Sequence, residues 1–207
     1  MNVKVKICGI TRTTDALAAA DAGADALGFM FYVSSPRCVN HERAAQIIRE
    51  LPPFVARVGV FVNPTEAEVR EAIARCGLDT LQFHGEETPE FCRKFGLKVI
   101  KAFRIRDAAS LQATGAYSGE AWLLDSYVAG QLGGTGSRFN WDLAVEAVRS
   151  RRPVILAGGL TPENAAEAVR QVRPYGLDVS SGVESAPGLK DAAKVHAFIA
   201  AAKGELL

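Results

Sequence analysis

The hydrophobic positions along the chain follow two alternating signatures. Short runs dominated by apolar residues, or alternating apolar with polar, fall at residues 3–8, 26–31, 56–62, 80–83, 98–103, 121–125, 154–157 and 176–180, the pattern of β-strands. Between and after them lie amphipathic stretches beginning near Thr14, His41, Thr65, Thr88, Asp107, Trp141, Pro162 and Lys190, the pattern of helices that bury one face. Helix starts carry their own chemistry. Glu66 and Glu68 follow Thr65, and Thr161-Pro162-Glu163 sets a hydroxyl ahead of a proline and an acid, both suited to a first turn whose N–H groups lack partners.

Strict alternation of strand and helix, with no long linker and no low-complexity stretch, demands parallel strands with helices outside them. Two topologies satisfy this, an open doubly wound sheet and a closed barrel. Eight units of similar length favour an α/β fold of the single (β/α)8 TIM-barrel type, with residues 1–207 as one domain. It would be compact against the roughly 250 residues usual for that fold. A dinucleotide-binding open sheet would place GxGxxG after its first strand, whereas this strand ends in Cys8-Gly9-Ile10-Thr11. Gly130, Gly133, Gly134 and Gly136 lie between Ser126 and Phe139, and their density predicts a mobile loop there.

Composition narrows the partners. Apolar residues make up 48% and charged residues 23% of the 207, a globular composition. The net charge is +1 with no Lys/Arg run, which excludes nucleic-acid binding, since that relies on concentrated basic surface. No stretch approaches the roughly 20 apolar residues of a membrane helix. The amino terminus, Met1-Asn2-Val3-Lys4-Val5-Lys6, alternates apolar and charged residues and so does not read as an export signal, giving a cytoplasmic expectation. Cys8, Cys38, Cys76 and Cys92 match no metal or redox spacing and are expected as free thiols. No cofactor or metal motif appears, and the near-neutral charge leaves monomer and homodimer both open.

A barrel carries its chemistry at the carboxyl ends of the strands, and polar residues gather there. Cys8, Asn63, His84, Asp125-Ser126, Gly158-Gly159 and Ser180-Ser181-Gly182 close six strands, and Ser35-Pro36-Arg37 follows the second. In the first strand Val3, Val5 and Ile7 share one face and Lys4, Lys6 and Cys8 the other, so the latter three point toward the barrel axis. Asp125 shares a face with Leu123 and Ala121, and Asp178 with Ser180. A buried lysine needs a partner. Asp178 suits that structural role, and at the mouth it is also a candidate substrate contact. Gly158, Gly159, Ser181 and Gly182 sit in glycine-rich segments after the seventh and eighth strands, where barrels bind phosphate on backbone N–H groups. Arg37 offers a planar cation to a carboxylate. His84 is either a substrate contact or a hydrogen-bonding group at a strand end. By position alone Cys8 reads equally as a reactive thiol or a small core residue.

The residues carry a resemblance. Lys6-Ile7-Cys8-Gly9-Ile10-Thr11, Gly28-Phe29-Met30-Phe31, Ser35-Pro36-Arg37, Gly59-Val60-Phe61-Val62-Asn63 and Gln82-Phe83-His84-Gly85-Glu86 run in order with Leu124-Asp125-Ser126, Gly133-Gly134-Thr135-Gly136, Phe139-Asn140-Trp141, Leu156-Ala157-Gly158-Gly159-Leu160 and Asp178-Val179-Ser180-Ser181-Gly182-Val183-Glu184. Together they resemble the phosphoribosylanthranilate isomerase family of tryptophan biosynthesis over nearly the whole chain. Phe83 and Asn140 depart from that family's usual leucine and aspartate. The resemblance implies an Amadori rearrangement of N-(5-phosphoribosyl)anthranilate to 1-(2-carboxyphenylamino)-1-deoxyribulose 5-phosphate, without a cofactor. It implies Cys8 as general base, Asp125 as general acid, Arg37 on the anthranilate carboxylate and the two glycine-rich segments on the phosphate.

Ring opening needs a proton on the ring oxygen, and enol formation needs one removed from C2′. Two groups on different strands suit these events. An aspartate acid must hold its proton well above the usual value of about 4, and a cysteine base must ionise below its usual value of about 8.5. Two other functions fit the barrel. The sister isomerase of histidine biosynthesis has an aspartate at the position of Cys8 and two similar half-barrels, for which no half-repeat appears here. A non-catalytic sensor of a phosphorylated metabolite would use the glycine loops and Arg37 but would not need both Cys8 and Asp125.

Overall fold

In the computed structural model, residues 3–117, 121–126, 141–150 and 152–204 are described. Eight parallel strands form a closed barrel: β1 Lys4–Cys8, β2 Ala26–Met30, β3 Ala56–Phe61, β4 Thr80–Phe83, β5 Lys98–Ile105, β6 Ala121–Ser126, β7 Val154–Leu156 and β8 Gly176–Val179. Closure is made by β1 against β8, which sets Lys6 opposite Asp178 and Ile7 opposite Val179. The fold is therefore a (β/α)8, or TIM, barrel. The loop expected to be mobile, residues 126–139, lies outside the described residues apart from Ser126.

Helices α1 Thr13–Asp21, α2 His41–Arg49, α3 Glu66–Cys76, α4 Pro89–Cys92, α5 Ala108–Gln112, α6 Trp141–Val148, α7 Pro162–Val172 and α8 Ala192–Lys203 follow the strands in turn. The signals at Thr65 form a capping box: its hydroxyl accepts from the Glu68 N–H, and the Glu68 carboxylate accepts from the Thr65 N–H at 2.7 Å. Helix α8 begins two residues later than the sequence pattern suggests. Asp191 caps it by accepting from the N–H groups of Ala193 and Lys194, while Leu189–Lys190 (β10) pairs antiparallel with Glu184–Ala186 (β9). That hairpin, invisible to hydrophobic period, is pinned by the Lys190 N–H donating to buried Asp15 at 3.0 Å. None of the described helices is long and apolar enough to cross a membrane.

Two apolar layers follow from strand alternation. Outward-facing Ile7, Leu27, Phe29, Leu81, Phe83, Leu124, Leu156 and Leu177 pack under the helices with Phe198 and Ile47. Inside the barrel a smaller cluster holds Val58, Val60, Ile100, Ala102, Leu123, Ile155 and Ala157, and Cys8 belongs to it. The first strand's inward face needs one correction. Lys6 is buried, but Lys4 sits at the foot of the barrel, where its side chain reaches solvent and pairs with Asp25 at 2.8 Å. At the end of a barrel an inward position opens onto water, so no buried partner is needed.

Candidate active site

The nine candidate catalytic and binding residues line one pocket of about 540 Å3 at the mouth: Cys8, Arg37, His84, Asp125, Gly158, Gly159, Asp178, Ser181 and Gly182. Asn63, which also closes a strand, lies outside its lining. The nine come from six βα units and meet because parallel strands deliver every carboxyl end to the same face.

Cys8 ends β1, buried. Lys6, two residues earlier on the same face, donates to Asp178 Oδ1 at 2.8 Å, with both side chains buried. Gly28 of β2 makes room for the pair, since a Cβ there would stand 2.8 Å from the Cys8 sulfur and 3.1 Å from the Lys6 Nζ. Burial pushes the Cys8 thiol up; Lys6, and more weakly Lys190, pull it back without cancelling that effect. Burial would drive Lys6 toward neutrality, but Asp178 and the sulfur outweigh it and hold the ammonium above its ordinary value.

Asp125, near the end of β6, is also buried. His84, immediately after β4, places Nε2 3.3 Å from Asp125 Oδ2; the contact has ion-pair distance without hydrogen-bond alignment, so Nε2 has no aligned partner among the described residues. The other ring nitrogen, Nδ1, lies 3.3 Å from the Gln82 side-chain amide, whose Oε1 is likewise buried and unpartnered among the described residues.

Arg37 is locked by Glu184, which accepts from its Nε at 2.8 Å and its Nη2 at 2.7 Å. Lys190 donates to the same carboxylate at 2.8 Å and to the Ser180 carbonyl at 3.1 Å. Burial works to raise the Glu184 carboxyl, but hydrogen bonds from Arg37 and Lys190 hold it below the ordinary carboxylate range. Burial dominates at Lys190 and lowers its ammonium in spite of Glu184. Glu184 and Lys190 were not singled out from sequence. Glu184 closes the segment beginning at Asp178, but no hydrophobic period marks Lys190, whose place beside Glu184 and Ser180 depends on the β9–β10 hairpin.

On the opposite rim Gly158 and Gly159 have φ of 81° and 66°, a conformation that side chains rarely adopt. Asn164 of α7 fastens this turn, accepting from the Thr161 N–H at 2.8 Å and donating to the Gly159 carbonyl at 2.9 Å. Gly182 lies against it so closely that a Cβ would fall well inside the contact distance of the Leu160 carbonyl oxygen. The two glycine-rich segments therefore form one continuous surface.

Fold and pocket together define a (β/α)8-barrel enzyme with a buried thiol and a buried carboxylate beside a glycine-lined rim. Comparison with known proteins makes the class particular. The family model described as N-(5'phosphoribosyl)anthranilate (PRA) isomerase matches residues 5–201. The chain is 58% identical over 201 residues to the N-(5'-phosphoribosyl)anthranilate isomerase of Geobacter metallireducens, covering 97% of this chain and 99% of that one. It is 55% identical over 201 residues to that of Pelobacter propionicus, covering 97% and 96%. The crystal structure of phosphoribosyl anthranilate isomerase from Thermotoga maritima superposes with a TM-score of 0.92 at 43% identity, covering 98% of this chain and 99% of that one. A phosphoribosyl anthranilate isomerase in complex with reduced 1-(o-carboxyphenylamino)-1-deoxyribulose 5-phosphate gives a TM-score of 0.88 at 43% identity, with the same coverage. The chain belongs to the N-(5'-phosphoribosyl)anthranilate isomerase family, isomerases of tryptophan biosynthesis.

Proposed function

We propose that the protein converts N-(5-phosphoribosyl)anthranilate to 1-(2-carboxyphenylamino)-1-deoxyribulose 5-phosphate, with Asp125 as general acid and Cys8 as general base. The observation that carries this reading is the placement of these two buried groups, from β6 and β1, on one pocket that also holds the glycine-rich rim. Asp125 gives its proton to the ribose ring oxygen as the C1′–O bond breaks, and the nitrogen lone pair forms the C=N bond of a Schiff base. Cys8, as thiolate, takes the C2′ proton; the electrons move to C1′ and nitrogen, leaving an enolamine. Loss of the enol proton and uptake of one at C1′ complete the ketone. No atom is gained or lost, so the reaction needs no cofactor.

Gly158, Gly159, Ser181 and Gly182 hold the phosphate on backbone groups. Arg37, oriented by Glu184, faces the anthranilate carboxylate, and His84 and Asp178 complete the substrate contacts. The working unit is the single domain of residues 1–207 in the cytoplasm, as monomer or homodimer; a Thermotoga maritima relative is described as a dimer from which monomers were generated.

The test follows the fluorescence decay of freshly made phosphoribosylanthranilate with wild type, Cys8→Ala and Asp125→Asn. Wild type consumes it, and each variant loses at least a hundredfold in kcat, a typical loss for removal of a general acid or base, while still binding a reduced product analogue. An inert wild type, or a Cys8→Ala variant of undiminished kcat, refutes the reading.

A further inference from the structure

We propose that Lys6 is a positioning residue for the reaction: its ammonium, held by Asp178 against the Cys8 sulfur, supplies the positive charge that allows the buried thiol to ionise. The inference rests on Cys8 being the base and adds the residue that makes it one.

Three observations support it. Lys6 and Asp178 form a pair at 2.8 Å with both side chains buried, placed by the β1–β8 register that sets these two residues opposite each other. As a stabilising device such a pair is poor, because an apolar pair of like size often does as well. As a fixed charge beside a sulfur it does what no apolar pair can. Second, Gly28 leaves space that the sulfur and the ammonium share, and a Cβ there would stand 2.8 Å from one and 3.1 Å from the other. Third, Lys6 is the charged group nearest Cys8 in the chain, two residues before it on the same face of β1. The other charges around the sulfur are Asp178 from β8, Lys190 from the hairpin and Arg37 from the loop after β2, the last two sharing Glu184, and Asp125 of β6 lines the same pocket. Among them Lys6 opposes the effect of burial on the sulfur most strongly, with Asp178 working against it and Lys190 helping more weakly.

Asp178 then has a role distinct from substrate contact. It keeps Lys6 charged where burial would otherwise strip its proton, and it fixes the ammonium on the β1 side of the pocket. With Lys6 beside it the thiol ionises at a lower cost than burial alone would impose.

The experiment measures the pH midpoint of Cys8 alkylation, resolved by peptide mass spectrometry, in wild type, Lys6→Met and Lys6→Met/Asp178→Asn, beside the pH profile of kcat. Both variants should raise the Cys8 midpoint by about one unit or more, the single more than the double because it leaves a bare carboxylate nearby. At neutral pH this appears as roughly tenfold slower labelling; in Lys6→Met, which leaves every proposed substrate contact in place, the acid limb of kcat moves up in step while KM changes little. A double variant with a wild-type Cys8 midpoint overturns the inference, since a merely structural pair would be replaced without touching the sulfur. If the midpoint moves and the kcat profile does not, Lys6 tunes Cys8 but Cys8 is not the base, and the reading above it fails instead. A measurement on the unaltered protein needs no folded variant: the Lys6 13Cε resonance must shift at the pH where Cys8 ionises, and a resonance indifferent to that titration also overturns the inference.

Discussion

Replacing Gly182 by alanine tests whether the two glycine-rich segments act as one surface. The added Cβ would overlap the Leu160 carbonyl oxygen and lie 3.0 Å from its carbon and 3.3 Å from the Thr161 Cα. All three atoms are backbone, so none can rotate out of the way. Ordinary carbon contacts begin near 3.5 Å, so relief requires the turn at Gly158-Gly159 to move by about 1 Å relative to the turn after β8. Overpacking of this kind costs about 1–3 kcal/mol, and a chain of this size loses about 2–4 °C of Tm for each kcal/mol. Calorimetry should therefore show Tm falling by roughly 2–12 °C. On the proposed role of this rim as the phosphate site, away from the reacting carbons, KM should rise well before kcat falls, and inorganic phosphate should lose potency as an inhibitor. Gly115→Ala is the control: nothing lies within 4 Å of its Cβ position, and it should stay within about 0.5 kcal/mol of wild type. If Gly182→Ala matched Gly115→Ala in Tm, KM and phosphate inhibition, the continuous rim would be refuted.

Two further outcomes follow from the buried charges and thiols. The folded Glu184 carboxyl lies below its ordinary value of 4.5, with hydrogen bonds from Arg37 and Lys190 overcoming burial. A depressed carboxyl adds stability that is complete above its unfolded value and is lost as pH falls through the folded one. The Tm gap between wild type and Glu184→Gln should be full at neutral pH and shrink below about pH 4.5, and a gap that widened there would contradict the assignment. Among the thiols outside the pocket, half-exposed Cys38 should react first with iodoacetamide at pH 8 in native protein. Cys76, buried and pushed up to about 11 by that burial, should be spared until unfolding; peptide-level labelling in the reverse order would show the burial to be wrong.

Much of the mouth was legible from sequence because the relevant rules are local. Two-residue alternation placed Lys6 and Cys8 on one face of β1, and the end of a strand in a βα unit is a definite place in a barrel. Asp125, His84, Arg37 and the glycines at 158, 159 and 182 were found the same way, and the structure sets all of them on one pocket. The same rule failed for Lys4, since alternation records a face but not a depth, and at the foot of the barrel that face meets water. It also ended the fifth strand at residue 103, whereas β5 continues to Ile105 because its partner β6 pairs with it as far as Ser126.

Hydrophobic period determined that strands and helices alternate eight times and that polar chemistry collects at the strand ends. These features depend on neighbours two to four residues away, which any stretch of chain contains. The tertiary structure decided the closure of the sheet, since an open and a closed sheet share one local pattern and only the β1–β8 register separates them. It also decided which charges meet: Lys6 with Asp178 across 172 positions, and Arg37 with Glu184 across 147. Burial strips each of these groups of water, and the only compensation is an opposite charge brought in from a distant part of the chain. That condition is met in space, and the order of residues alone does not state it.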